Sequence, residues 1–278
     1  MYLQNKHTKL LASKIRVHAL NMTNRGGSSH IGSILSIADI IACLYGSILK
    51  FDSQNPKFEK RDRFILSKGH AGAGIYAALA ELKFFPIEKL KTHYQNGSDL
   101  SGHISHINVP GVELSTGSLG HGLPVANGMA FYGKLKKKNH KIYVLLSDGE
   151  CDEGSNWEAA LFSSHHNLNN LTVIIDYNKL QSIKSTKETL DLEPFSDKWA
   201  SFGWDVKTID GHNHEEIIEA CSSNINSRNK PLCIIANTIK GRGVSFMENK
   251  VLWHYRSPKG EEFINALKEL KEIEKKLS

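Results

Sequence analysis

The chain has 278 residues, 40% hydrophobic and 23% charged, inside the range of an ordinary globular domain with enough apolar material for a full core. A net charge of +6 raises the question of nucleic acid, but the basic residues are dispersed. Clusters such as Lys134, Lys136, Lys137 and Lys138 read as solvated helix ends, and no basic stripe interleaved with aromatics supports nucleic-acid binding. Cys43, Cys151, Cys221 and Cys233 lie far apart without CxxC spacing, which argues against a disulfide framework or a zinc site.

Taken in chain order, residues 1–21 mix charged and apolar positions and never build the unbroken apolar run of a signal peptide or spanning helix. A cytoplasmic protein without membrane contact is expected. Leu10, Leu11, Ile15, Ala19 and Leu20 recur at helical spacing between Gln4 and Met22, and Asn24-Arg25-Gly26-Gly27 stops the pattern. A polar loop through His30 and Gly32 follows, and Ser36 is the expected cap of a helix carrying Ile37, Ile40, Ile41, Leu44 and Leu49. Short branched runs at Ile142 to Leu146, Leu171 to Ile175, Val206 to Ile209 and Leu232 to Ala236 predict buried strands. Helix-length segments at Trp157 to Leu168, Phe195 to Phe202 and His214 to Ile225 lie between them. This alternation predicts an α/β fold with a mostly parallel sheet and helices on both faces. Residues 261–277 predict one amphipathic C-terminal helix, with Phe263, Ile264, Leu267, Leu270 and Ile273 on its apolar face. No linker composition divides the chain, so residues 1–278 are expected to form a single domain.

In a parallel sheet, ligands gather beyond the carboxyl ends of the strands. The run ending at Leu146 passes into Ser147-Asp148-Gly149-Glu150, and the run from Leu171 passes into Asp176-Tyr177-Asn178. If those strands are neighbours, Asp148 and Asn178 can share one hard cation. One carboxylate with neutral amide oxygens complements a magnesium or calcium ion that already carries a diphosphate. Gly149 and Gly154 would let backbone approach the phosphates, and the following helix amino terminus would favour their charge.

Ser147-Asp148-Gly149, then Glu153-Gly154, Trp157-Glu158-Ala159 and the terminal Asn178 resemble the thiamine diphosphate motif of transketolases. The resemblance extends through Ser67-Lys68-Gly69-His70-Ala71, Ser101-Gly102-His103, Thr116-Gly117-Ser118-Leu119-Gly120-His121-Gly122 and Lys240-Gly241-Arg242-Gly243. It is nearest to the separate amino-terminal subunits of split transketolases, and implies the thiamine diphosphate-binding fold, as a diphosphate-binding domain. By that resemblance Asp148, Asn178 and the carbonyl of Leu180 would hold Mg2+ (or Ca2+). Gly149 and Glu150 would line the diphosphate, and Gly117 and Leu119 would contact the cofactor. Ser147 stands where the family usually has glycine.

Transketolase chemistry cuts a ketose between C2 and C3, so protons must move beside a developing charge, a task that suits imidazole. By the same resemblance His30, His70, His103 and His254 would surround the reacting carbons. Arg256 could take a substrate phosphate or simply stack on neighbouring aromatics. The family's activating glutamate lies on a pyrimidine-binding domain for which this chain has no room. A companion C-terminal subunit is therefore expected, in a heterotetramer acting on sugar phosphates. Glu153 and Glu158 resemble acids at the subunit contact, or are ordinary acids at a helix start. The competing readings are another ketol or acyl transfer, such as deoxyxylulose phosphate formation or action on an unusual sugar, and a non-catalytic cofactor-binding scaffold.

Overall fold

The computed structural model describes residues 2–222 and 228–277. Its elements, in chain order, are α1 (Tyr2–Gly26), α2 (Ile31–Cys43), β1 (Arg63–Leu66), α3 (Gly72–Glu81), α4 (Gly122–Leu135), β2 (Ile142–Ser147), α5 (Gly154–His165), β3 (Leu171–Tyr177), α6 (Thr186–Thr189), α7 (Phe195–Ser201), β4 (Asp205–Asp210), α8 (His214–Ser222), β5 (Leu232–Asn237) and α9 (Glu261–Leu277). The five strands form one wholly parallel sheet in the order β1-β2-β3-β5-β4.

The alternation of side chains along each central strand divides the core into two layers. Tyr143, Leu145, Ile174 and Ile234 point to one face, where α1, α2 and α3 pack. Ile142, Val144, Val173 and Ile235 point to the other, against α4, α5 and α7. Because both faces are covered, β2 and β3 are buried at every position and read as unbroken apolar runs. The edge strand β4 mixes exposed and half-buried positions instead and has no fully buried one. From β1 to β3 the chain steps in one direction, and the helices that lead into β2 and β3, α4 and α5, lie on one face, while α3 packs on the other. Between β4 and β5 it steps back, which sends α8 to the opposite face, as right-handed crossovers require.

All four expected strands are present, and α9 begins and ends where the amphipathic pattern does. The expected helix from His214 is seen as far as Ser222, and Ile225 lies outside the described residues. Two expectations need correction. Ser36 is not a cap: α2 starts at Ile31 with His30 preceding it, so Ser36 is interior, donating to the Ser33 carbonyl at 3.0 Å and to Asp176 at 2.7 Å. Strand β1 is additional to the expected strands, because four residues following a charged stretch give too short an apolar run to stand out. The stretch Ile31–Ile48 is long and apolar enough to cross a membrane by length and composition, yet 83% of it is buried within the protein. It is the central core helix.

Candidate functional site

The carboxyl ends of β1, β2, β3 and β5 open on one cleft of about 240 Å³. Register sets its geometry. Ser147 pairs with Asp176 across β2 and β3, so the residues one and two positions beyond, Asp148 and Asn178, stand side by side at adjacent strand tips, both buried. The Asp148 carboxylate accepts from the Gly149 N–H at 2.8 Å and the Lys179 N–H at 2.6 Å. The Asn178 carbonyl oxygen accepts from the Leu180 N–H at 3.1 Å. Asp148, Gly149, Asn178 and Leu180 all line the cleft.

Burial, with repulsion from Asp176, pushes the Asp148 carboxyl up to about 7. A carboxylate so placed gains from any cation beside it. Among the described residues, no group of three or more histidine, cysteine or acidic side chains could hold a metal. A cation here would therefore rest on one carboxylate, one amide oxygen and one main-chain carbonyl, a set of hard oxygens suited to magnesium or calcium. The donor set fits the expected group.

Four histidines converge from separate loops. The His30 ring lies 4.9 Å from that of His70, 5.9 Å from His103 and 5.2 Å from His254. His30 adopts the left-handed backbone region, φ 72°, uncommon for a residue with a side chain and associated with functional positions. Its N–H donates to the His254 carbonyl at 2.8 Å. Burial, with the positive charges of Lys240 and Lys68 nearby, lowers the His30 imidazole to about 4 and that of His254 to about 3. The same causes hold His70 well below its usual value. These three rings are neutral near pH 7 and able both to accept and to donate.

Charged groups that no sequence pattern singled out stand behind them. Lys68 and Asp176, both wholly buried, form an ion pair at 2.5 Å. Asp176 also accepts from Ser36, Thr238 and, at 3.0 Å, the Asn178 amide. Burial opposes its ionisation, but Lys68 and these donors outweigh that and hold the carboxyl below the ordinary range. Lys240 donates to the Leu180 carbonyl at 2.9 Å and to His254 Nδ1 at 2.8 Å. Since an ammonium only donates, His254 must carry its proton on Nε2. Burial lowers Lys240 to about 8. Lys68 and Lys240 sit inside the family-like motifs, and a lysine followed by glycine just past a strand end was the available signal.

Other expected residues fall differently. Gly117 and Leu119 line the cleft. Glu150 does not: its carboxylate is fully buried, accepting from Ser67, from Gly120 N–H at 2.9 Å and from Ser147 N–H at 3.2 Å. Glu150 thus ties the three loops together from behind. Ser147 lines the cleft, while its hydroxyl accepts from the Glu150 N–H at 3.2 Å. A short 3-10 turn at Gly149–Asp152 intervenes before α5, so Gly149 reaches the cleft, whereas Gly154 and the start of α5 lie outside it. His121 is exposed and also outside. Arg256 packs 5.3 Å from the Trp253 ring and pairs with Glu262, the stacking alternative. Glu153 and Glu158 are both exposed. Glu153 makes no side-chain cap bond, and Glu158 lies past the first turn.

Residues 7–276 match the family model described as transketolase, thiamine diphosphate binding domain. The chain is 43% identical over 243 residues to a 6-deoxy-6-sulfo-D-fructose transketolase subunit of a Clostridium species, covering 87% of this chain and 88% of that one. It is 43% identical over 267 residues to an apulose-4-phosphate transketolase subunit of Actinobacillus succinogenes, covering 96% and 95%. Among solved structures, Campylobacter jejuni transketolase superposes with a TM-score of 0.88 at 30% identity, over 98% of this chain and 45% of that chain. The chain thus spans less than half of that solved enzyme.

Proposed function

Because the chain belongs to the transketolase family, through its thiamine diphosphate-binding domain, we propose that it is the amino-terminal subunit of a split enzyme that transfers a two-carbon ketol unit between ketose and aldose phosphates. The observation carrying this reading is the convergence of the Asp148, Asn178 and Leu180 oxygens with the rings of His30, His70, His103 and His254 in one cleft.

When bound, thiamine diphosphate supplies the electron sink for cutting the ketose between C2 and C3. In this reading Asp148, Asn178 and the Leu180 carbonyl hold Mg2+ (or Ca2+) against the diphosphate, with Gly149, Gly117 and Leu119 beside the cofactor. Lys240 neutralises negative charge at that end. His30, His70 and His103, with the Nε2–H of His254, bind sugar hydroxyls, and His30, His70 and His254, neutral near pH 7, can carry their protons.

The cleft in this chain is below the roughly 300–1,000 Å³ of enclosing ligand pockets, in keeping with a second wall contributed by a pyrimidine-binding C-terminal subunit. Val125, Tyr132 and Leu135 on α4 and Leu161 and Phe162 on α5 are exposed. Such an apolar surface is suited to association between subunits, here into a heterotetramer with Glu153 and Glu158 near the contact. Four buried free thiols accord with a reducing, cytoplasmic setting. A relative acting on apulose 4-phosphate and another on a sulfonated fructose leave an unusual sugar as the second reading of the substrate.

The test is calorimetric titration of the complex with thiamine diphosphate and magnesium, repeated on Asp148→Ala. Binding that is the same in both proteins refutes the metal assignment. Ketol transfer by this chain mixed with its partner, and by neither alone, is the expected activity result.

A further inference from the structure

We propose that Tyr255 is a specificity-determining residue, its ring reading the ketose carbons just beyond the bond that is cut. This rests on the ketol-transfer reading of the cleft. Tyr255 lines the same cavity as the histidines. Its ring stands 5.5 Å from that of His30 and 4.7 Å from that of His254, edge-on to both. Those imidazoles are half-buried, whereas Tyr255 is 64% exposed. The order from floor to rim is therefore His30, His70 and His254 first, Tyr255 outside, so a sugar whose reacting carbons lie among those rings brings its next carbons against the phenol ring.

The backbone that carries the ring is held from behind. The His254 carbonyl accepts from the His30 N–H at 2.8 Å, and Trp253 before it is buried with Arg256 stacked on it. An aromatic at a rim offers a flat apolar face to sugar C–H groups and excludes bulk on its own side. Its hydroxyl has no hydrogen-bond partner among the described residues, leaving it free for a ligand. Arg256, the adjacent cation, is held by Glu262. This rim therefore reads the carbon skeleton and its hydroxyls, and not the charged end of the sugar.

The experiment compares wild type, Tyr255→Ala and Tyr255→Phe, each as the complex with the partner subunit, using xylulose 5-phosphate, fructose 6-phosphate and 6-deoxy-6-sulfofructose as donors. Loss of a ring from a contact of this size should change the ratio of kcat/KM between the two best donors by about tenfold in Tyr255→Ala. Tyr255→Phe should hold that ratio within about threefold, since it keeps the ring. Thiamine diphosphate affinity should be unchanged in both. The inference is overturned if all donors fall together in Tyr255→Ala with their ratio preserved, or if cofactor binding is what is lost. A wild-type complex that binds cofactor yet transfers no ketol unit from any donor overturns the functional reading itself, and this inference with it.

Discussion

The Asn178 amide nitrogen donates to Asp176 at 3.0 Å, and this bond settles which way Asn178 faces. An ionised carboxylate only accepts, so the NH2 of Asn178 must turn towards it and the carbonyl oxygen away from it. Asp176 is kept ionised by Lys68, at 2.5 Å. A buried ion pair behind the sheet edge thereby presents the amide oxygen of Asn178 on the side of Asp148.

Asp176→Asn removes the charge that balances Lys68 and lets the Asn178 amide turn over. Breaking one side of a buried pair should lower stability by about 3–5 kcal/mol. Loss of the orienting contact should weaken magnesium-dependent cofactor binding about 10–100-fold. Urea denaturation and calorimetry read the two effects separately, and cofactor affinity within twofold of wild type would refute the orienting role.

Gly69 sits where backbone meets backbone. A Cβ there would lie 2.1 Å from the Thr116 carbonyl oxygen, and neither chain can move freely, because the Gly69 carbonyl accepts from Ile104 N–H at 2.9 Å. Gly69→Ala should cost at least about 1–3 kcal/mol through forced backbone shifts. It should also disturb Gly117 and His70 on either side. A thermal melt superimposable on wild type would show that the two backbones approach less closely than this.

Acid should loosen the site through its histidines. In the unfolded chain an imidazole titrates near 6.5, roughly, whereas folding lowers His30 to about 4 and His254 to about 3. Between those values the unfolded state binds more protons, so stability is complete above pH 6.5 or so and declines as pH falls towards 4. The melting temperature should fall between pH 7 and pH 5. In His30→Asn the decline should be shallower, and equal slopes would mean that His30 does not contribute.

The surface shared by α4 and α5 should govern assembly. Leu161 is 58% exposed and Phe162 40% exposed, with Phe162 in ring contact with Phe131 of α4. Leu161→Asp places a charge where subunits would meet, and should shift the complex to smaller species in light scattering while leaving the circular dichroism of this chain unchanged. An unaltered mass would move the contact elsewhere.

Strands β2 to β5, the final helix and the neighbouring tips bearing Asp148 and Asn178 were legible in the sequence. Periodicity and branched runs report how each residue is buried by its own segment, and that information is local. Strand β1 was not legible, because a four-residue run carries too little pattern, and without it nothing in the local pattern brings Lys68 and His70 to the site.

Residue pattern alone carried an α/β chain whose strand ends bear metal-suited oxygens, and a family resemblance that the comparisons bear out. The fold showed how His30, His70, His103 and His254, expected together by resemblance, reach one cleft from separate loops, and it alone revealed that Lys68 and Lys240 stand behind them and that Glu150 braces loops from outside the cleft. It also decided that Ser36 serves Asp176 and not a helix end. The reason is physical: a side chain's partners are set by strand register and crossover direction, and residues 108 positions apart, such as Lys68 and Asp176, become neighbours only when the sheet closes around them.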